Sequence, residues 1–277
     1  MERTYINEVQ KETGSTVKVQ GFIENLRNSK YMAFIVLKDI TGKLQITVEK
    51  ADHPDLVDTI DKLTPDSVIT VTGKVMENDY VKMGGIEMIP ESIEIESIAD
   101  ALPIVRKEIA ATKKKKAVER SSIDQRIDYR WIDLRTDENQ LMFKAQSCFV
   151  NAMRKFLLDR NFIEIHTPKL IAAASESGSE VFKVDYFDRN AYLAQSPQFY
   201  KQMAMAAGFE RIFETGPVFR AEKSYTNKHS TEFSGFDLEF SYITSFKDVM
   251  KMEEELLTAG LQAVKDNYGD QIKELFG

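Results

Sequence analysis

Five short segments that read as β-strands, separated by turn residues, occupy the first hundred residues, and they restrict the fold more than any other feature. Where apolar and polar residues alternate, as in residues 44–48, successive side chains lie on opposite faces of a strand. The five predicted strands are residues 16–23, 33–38, 44–48, 67–75 and 86–95. The breaks contain Gly42, Gly73, Gly84 and Gly85. Residues 52–63, between the third and fourth strands, have helical spacing instead.

Five strands with a helix after the third predict an OB-fold barrel over residues 1–100. Such barrels bind single-stranded nucleic acid through aromatic and polar side chains on one sheet face. Phe34 and Gln45 are the candidates for that face. Taken alone, Phe34 fits the core better, because aromatic residues in strands usually pack there.

Residues 101–136 are predicted to be a linker. Within it, the stretch 106–120 contains seven basic residues and two acidic ones. Two interpretations stay open: a solvated basic loop, or a segment that lies against a phosphate backbone. The net charge of −7 for the whole chain argues against indiscriminate nucleic-acid binding, but it leaves room for a specific RNA partner.

Residues 137–277 are predicted to form a second domain of mixed helices and strands, which places the chain in the α+β class. We expect a helix from about residue 138 to 158, a strand over 162–165 that leads to Pro168, and a last helix over 246–267. The first helix has an apolar face at helical spacing, formed by Leu141, Ala145, Cys148, Ala152 and Phe156.

Residues 219–240 read FRAEKSYTNKHSTEFSGFDLEF, two alternating segments around a polar loop. This pattern predicts an antiparallel hairpin with one face on a core and the other on a polar cleft. Arg220 and Glu222 are two residues apart, so in a strand they share a face. That pair suits a ligand with an anionic group and an amine donor, as in a nucleotide. A surface salt bridge is the alternative.

Residues 194–202, AQSPQFYKQ, place Gln198 and Lys201 three apart on a predicted helix whose first residue is Pro197. Lysine offers only donors and a positive charge, so a buried lysine beside an amide fits the reading of a carboxylate. A solvated surface lysine is the alternative.

Composition excludes several other classes of function. The chain has 277 residues with 43% hydrophobic and 29% charged content, which is ordinary for a globular protein. No apolar run is long enough for a transmembrane helix, and the N-terminus lacks a signal-peptide pattern. One cysteine excludes an internal disulfide and fits a cytoplasmic location, and with three scattered histidines it disfavours a zinc site.

The hairpin resembles motif 2 of the class II aminoacyl-tRNA synthetases, FRxE, a loop, then (H/R)xxxF. The matching residues are Phe219, Arg220, Glu222, His229 and Phe233. By this resemblance, Arg220 is the catalytic residue and holds the ATP α-phosphate, Glu222 accepts from the adenine amino group, and Phe233 stacks on adenine. The implied ATP-binding set is Arg220, Ala221, Glu222, Lys228, His229, Ser230 and Phe233. Residues 161–168 resemble motif 1, which implies a homodimer.

Within class II, AQSPQFYKQ and EFSGFDLEF resemble the aspartyl branch in its archaeal and eukaryotic form. The resemblance implies that Glu176 binds the α-ammonium group and that Lys201, oriented by Asp237, takes the side-chain carboxylate. The implied aspartate-binding set is Glu176, Gln198, Phe199, Tyr200, Lys201, Arg220 and Asp237. Phe34 and Gln45 fall where the anticodon readers of this branch lie.

The implied function is ATP-dependent activation of L-aspartate and transfer to tRNA(Asp), with tRNA(Asn) left open. Motif 3 and the carboxylates for Mg²⁺ are expected beyond residue 277, so the resemblance predicts no metal ligand in this chain and little activity of the chain alone. Two alternatives stay open: a non-catalytic RNA-binding fragment, and a related enzyme that forms an adenylate for another purpose.

Overall fold

The computed structural model describes residues 1–108, 117–173, 181–223, 226 and 228–277. These residues form two compact units, Met1–Tyr129 and Arg130–Gly277. The predicted three-part division at residues 100 and 136 stays a prediction. No helix in the described part of the chain is both long and apolar enough to cross a membrane.

The first unit contains a closed five-stranded barrel with the strand order β1-β2-β3-β5-β4. Its strands are β1 (Thr16–Asn28), β2 (Met32–Lys38), β3 (Lys43–Glu49), β4 (Val68–Glu77) and β5 (Ile86–Ser97). Its helices are α1 (Ile6–Val9), α2 (Val57–Lys62) and α3 (Ile123–Asp128). Strand β3 pairs with β5 in parallel, and the other neighbours are antiparallel. The predicted OB-fold, with its helix after the third strand, is confirmed.

Alternate residues of the strands fill the barrel. In β2, Ala33, Ile35 and Leu37 are fully buried, while the residues between them face outward. Helix α1 closes one end with Ile6 and Val9 in the core. Gly73 does not break a strand, as the sequence suggested. It lies inside β4, where a side chain would meet the backbone of Ile89, so the glycine permits a close strand crossing.

The second unit packs long helices on a hairpin. Its helices are α4 (Arg130–Asp133), α5 (Asp137–Leu158), α6 (Gln198–Ala206) and α7 (Phe246–Phe276). Its strands are β6 (Ile163–Glu164), β7 (Leu170–Ile171), β8 (Lys183–Tyr186), β9 (Arg189–Leu193), β10 (Arg211–Phe219) and β11 (Glu232–Phe240). They form two three-stranded sheets, ordered β11-β10-β6 and β7-β9-β8.

The predicted apolar face of α5 is partly wrong. Leu141 is buried as expected, but Cys148 is only half-buried, and in the second half of the helix Met153 and Leu157 are the buried residues. The reason is that these two side chains pack in one cluster with Phe162, Phe213 and Leu256, which lie on that side of the helix.

Candidate functional site

One face of the β10–β11 hairpin packs in the core, and the other carries the candidate residues. Phe213 and Phe236 stack on the core face with ring centroids 5.8 Å apart. Strand alternation therefore turns the directly paired Glu214 and Asp237 to the opposite face. We call that opposite face, with its residues on both strands, the cleft face.

Lys201 of α6 is buried against the cleft face, with 6% of its surface exposed. Its Nζ lies 3.0 Å from Asp237 Oδ1 and 3.5 Å from Glu239 Oε2. A buried ammonium group needs such partners because it has lost its hydration. The structure therefore brings the predicted pair Lys201 and Asp237 together. It adds Glu239, which could have been found from its spacing of two from Asp237 in a strand.

The other predicted aspartate-binding residues of α6 lie on its first turn. Gln198 is half-buried and its backbone N–H donates to Ser196 Oγ at 3.3 Å. Tyr200 is half-buried, whereas Phe199 is 54% exposed. Pro197 precedes the helix as its cap rather than its first residue. Glu176 lies outside the described residues.

Arg220 stands just beyond β10, where its backbone N–H donates to Thr231 O at 2.9 Å. Its guanidinium carbon is 5.6 Å from the centroid of the Phe233 ring. Its Nε is buried and has no hydrogen-bond partner among the described residues. Buried donors in proteins are nearly always paired, so an orphaned guanidinium nitrogen fits a site for an anionic ligand such as a phosphate.

The hairpin itself is confirmed, but its first strand ends earlier than the sequence suggested. Strand β10 ends at Phe219, so Ala221 and half-buried Glu222 lie outside the strand. Arg220 to Thr231 is the last backbone hydrogen bond before the loop, and strand geometry does not continue without such pairing. The other predicted ATP-binding residues of the loop, Lys228, His229 and Ser230, are exposed.

His229 is held within its own loop. Its Nδ1 lies 2.7 Å from Thr226 Oγ1, and its backbone N–H donates to Thr226 O at 3.5 Å. These contacts leave the ring exposed at the loop surface. Contact with ATP phosphates, implied for His229 by the motif, stays a prediction.

Glu214 forms a second polar cluster on the cleft face that sequence reasoning missed. Its carboxylate accepts from the Thr167 backbone N–H and hydroxyl, each at 2.7 Å, and from Lys169 Nζ at 3.0 Å. Burial would raise the pKa of Glu214, but these hydrogen bonds and the Lys169 charge outweigh it and lower the pKa below its usual value. The cluster fixes the chain on both sides of Pro168 to the hairpin.

In the first unit, Phe34 and Gln45 line one concave surface, which we call the barrel groove, with a cavity volume of about 790 Å³. Phe34 is half-buried on the outer face of β2, so its alternative interpretation as a core residue is wrong. The guanidinium carbon of Arg27 lies 5.8 Å from the centroid of its ring. Aromatic and basic side chains in one groove match the chemistry of nucleobases and phosphates.

Gln45 has a fixed amide orientation. Its Nε2 donates to Thr47 Oγ1 at 3.0 Å and to Glu87 Oε2 at 3.3 Å. Glu87, which sequence reasoning missed, is 9% exposed and also accepts from Asn78 Nδ2 at 2.7 Å. Because the amide nitrogen is engaged, Gln45 can offer its carbonyl oxygen as an acceptor to a ligand.

The described residues contain no group of three or more histidine, cysteine, aspartate or glutamate side chains arranged to hold a metal ion. The chemistry of the two sites rests on cations, carboxylates, amides and aromatic rings.

The two units thus carry different candidate sites: a closed barrel with an aromatic and polar groove, and a hairpin with a buried lysine and a buried arginine Nε that has no partner among the described residues. Known families match both parts of the chain. The family described as tRNA synthetases class II (D, K and N) matches residues 122–275. The family described as OB-fold nucleic acid binding domain matches residues 17–96. The chain belongs to the class II tRNA synthetases of the D, K and N group.

Two similar curated relatives are archaeal. The chain is 43% identical over 264 residues to the aspartate–tRNA(Asp/Asn) ligase of Methanopyrus kandleri, covering 95% of this chain and 59% of that protein. It is 42% identical over 259 residues to the aspartate–tRNA(Asp) ligase of Picrophilus torridus, covering 93% and 58%. The chain thus spans a little under three fifths of the length of these relatives.

Solved structures of two amino-acid specificities are similar to the chain. Asparaginyl-tRNA synthetase from Pyrococcus horikoshii, complexed with asparaginyl-adenylate, matches with a TM-score of 0.88 and 30% identity, covering 99% of this chain and 61% of that one. Aspartyl tRNA synthetase from Entamoeba histolytica matches with a TM-score of 0.80 and 30% identity, covering 99% and 57%. The fold alone therefore does not decide the amino acid.

Proposed function

We propose that the protein is an aspartate–tRNA ligase, which activates L-aspartate with ATP and transfers it to tRNA(Asp). The observation that carries the choice of amino acid is the buried Lys201 ammonium group, held by Asp237 at 3.0 Å on the cleft face. A lysine gains a charge-assisted hydrogen bond from a carboxylate. A neutral amide in the same place offers no charge to the ammonium group and turns N–H donors or a weaker acceptor towards it. The two archaeal relatives, named as aspartate ligases, support the same choice.

In the proposed reaction, the aspartate α-carboxylate attacks the α-phosphorus of ATP, forming aspartyl-adenylate and releasing pyrophosphate. The 3′-terminal ribose hydroxyl of the tRNA then attacks the acyl carbon and releases AMP. Arg220 would bind the α-phosphate with its buried, unpaired Nε side, and Phe233, 40% exposed, would face the adenine. The protein contributes position and charge rather than a nucleophile. Mg²⁺, when bound, would neutralise phosphate charge.

The barrel groove would bind the anticodon, with Phe34 as a base platform and Gln45 as an acceptor for a base N–H. Recognition of tRNA(Asn) in addition to tRNA(Asp) is open, since the two relatives above differ in the tRNAs they are named for. We further propose a homodimer formed through the segment around Pro168, and a cytoplasmic location, as expected for this family.

Binding tests this proposal directly, because it does not depend on catalytic turnover. We would titrate the chain with non-hydrolysable sulfamoyl analogues of aspartyl- and asparaginyl-adenylate by calorimetry. The aspartyl analogue is expected to bind more tightly. Arg220→Ala should weaken its binding by about 10- to 100-fold, the cost of losing a charge-assisted hydrogen bond to the anionic acylsulfamate that stands in for the phosphate. Arg189→Ala is the matched control, since Arg189 is exposed and, among the described residues, forms an ion pair only with Asp188. Equal binding of both analogues would refute the aspartate assignment.

A second candidate is an RNA-binding protein without catalysis. The observation that favours it is that the barrel closes on itself and carries its own groove within the first compact unit. The same titrations separate the two candidates. Binding of an anticodon hairpin with no binding of either adenylate analogue supports the second candidate.

A further inference from the structure

The loop between β4 and β5 presents one aromatic ring almost completely to solvent. Tyr80 is 95% exposed, yet it lines the barrel groove together with Phe34 and Gln45. A large aromatic side chain that packs against nothing contributes no burial to the stability of the fold. The position of this ring at the edge of a groove therefore needs a reason other than folding.

The backbone around Tyr80 is held by a set of hydrogen bonds. The Tyr80 backbone N–H donates to Asn78 Oδ1 at 3.0 Å, and Asn78 Nδ2 donates to Glu87 Oε1 at 2.7 Å. The Val81 N–H donates to Asn78 O at 2.9 Å, and the Val81 side chain is 5% exposed. Asn78 thus ties the loop to the buried carboxylate that also orients Gln45. The backbone that carries the exposed ring is therefore fixed, and it loses little conformational freedom on binding.

An aromatic ring with two free faces at the edge of a groove is a stacking surface for a nucleobase. Tyr31 provides the contrast. It is also exposed, at 70%, but the Lys30 ammonium lies 5.2 Å from its ring centroid and it does not line the groove. No cation of the described residues lies over the Tyr80 ring, and Tyr80 shares the groove with the base-sized platform of Phe34.

We propose that Tyr80 is a second stacking platform of the RNA site. It takes the base next in the strand to the base that lies on Phe34. The inference rests on the proposed function, because it assumes that the groove binds single-stranded anticodon bases. Stacking is tolerant of base identity, so Tyr80 contributes affinity and strand placement, while Gln45 reads a base edge.

The test uses the whole chain and a 17-nucleotide hairpin with the loop anticodon GUC, in fluorescence anisotropy titrations at one fixed salt concentration. Tyr80→Ala should weaken binding by about 5- to 100-fold, the effect of losing one base–aromatic stack. Tyr80→Phe should bind within about twofold of the wild type, because it keeps the ring. Tyr31→Ala is the matched control and should also stay within about twofold.

Hairpins with one abasic position at a time locate the contact. If Tyr80 stacks on a base, Tyr80→Ala should not weaken binding of the hairpin that lacks that base. That position should be adjacent in the strand to the position whose removal abolishes the effect of Phe34→Ala on binding. Thermal unfolding should be unchanged in Tyr80→Ala, since the side chain is not packed. Near-normal binding by Tyr80→Ala, with a clear loss in Phe34→Ala, overturns this inference and leaves the proposed function standing. No preference of the wild type for the GUC hairpin over a scrambled loop overturns both.

Discussion

The two compact units differ in how they bury their apolar side chains. The barrel folds its strands into a closed ring, and its buried cluster runs from Ile6 to Ile93. The second unit has open sheets, and its long helices keep large apolar side chains in solvent. Among the described residues these include Met142, Phe143, Phe246, Met250 and Leu261, each at least 50% exposed. A closed barrel satisfies its own edges, whereas an open sheet and a helix pair leave surfaces uncovered.

The two candidate sites also differ, in how completely their polar side chains are paired in the absence of a ligand. In the barrel groove, Gln45, Thr47 and Asn78 all hydrogen bond to one buried carboxylate, Glu87, so the polar groups are fixed without a ligand. In the cleft, Lys201 is matched by carboxylates, but the buried Arg220 Nε has no partner in the part of the chain that the structure describes. The groove is therefore preorganised, and the cleft is only partly so.

The largest expected effect lies in the cleft. Lys201→Met should weaken binding of the aspartyl-adenylate analogue by about 10³-fold, because the substrate carboxylate loses its cation and meets Asp237 and Glu239 unopposed. The factor by which the variant prefers the aspartyl analogue over the asparaginyl analogue should also be smaller than in the wild type. Calorimetry with both analogues checks this. Lys155→Met is the control, since that side chain is 76% exposed and pairs with Asp159 on the surface. A mutant that keeps the wild-type preference would show that Lys201 does not read the carboxylate.

In the barrel, the largest effect should come from its core. Ile35 is fully buried, so Ile35→Ala should lower the free energy of unfolding by about 2–5 kcal/mol. Hydrogen-exchange mass spectrometry under native conditions reports each unit separately. Protection should fall in β1–β5 and remain in α5 and α7. Loss of protection in both units would contradict this prediction, because it would mean that the two compact units unfold together.

The contrast between the units also explains what the sequence could predict. Alternation in residues 44–48, LQITV, predicted β3 correctly, because a closed barrel buries one face of every strand. Lys201 and Asp237 were predicted from the resemblance of AQSPQFYKQ and EFSGFDLEF to the aspartyl branch, and the structure places their charged groups 3.0 Å apart. Helix faces were predicted less well, since the sequence does not show where α7 approaches α5, and Cys148, expected on the apolar face of α5, is only half-buried. Glu87 was missed because a carboxylate in a strand reads as solvent-facing until its partners are known.

The contact between α5 and α7 gives the next largest effect. Gly260 is buried against Phe149, and an added Cβ would lie 2.6 Å from the Phe149 ring. Gly260→Ala should therefore destabilise the second unit by about 1–3 kcal/mol through overpacking. In the same helix, a Cβ at Gly269 meets only Lys265 at 3.8 Å, so Gly269→Ala should stabilise by about 0.5–1 kcal/mol through helix propensity. Urea unfolding followed by the fluorescence of Trp131, the one tryptophan in the chain, measures both. Equal effects of the two substitutions would argue against a tight helix contact.

The smallest effect is expected at Glu214 and depends on pH. Its pKa is lowered in the folded protein, because the Thr167 hydrogen bonds and Lys169 favour the ionised form more than burial opposes it. A carboxylate with a lowered folded-state pKa contributes stability that is complete above its unfolded pKa, near 4.5, and is lost as pH falls towards the folded value.

The stability difference between wild type and Glu214→Gln should therefore be constant near neutral pH and shrink below about 4.5. Urea titrations across that range measure it. Glu255→Gln is the control, since that side chain is 42% exposed and its ion-pair distances are 3.8 Å and 3.9 Å. A difference that grows on acidification would mean that the Glu214 cluster does not favour the carboxylate.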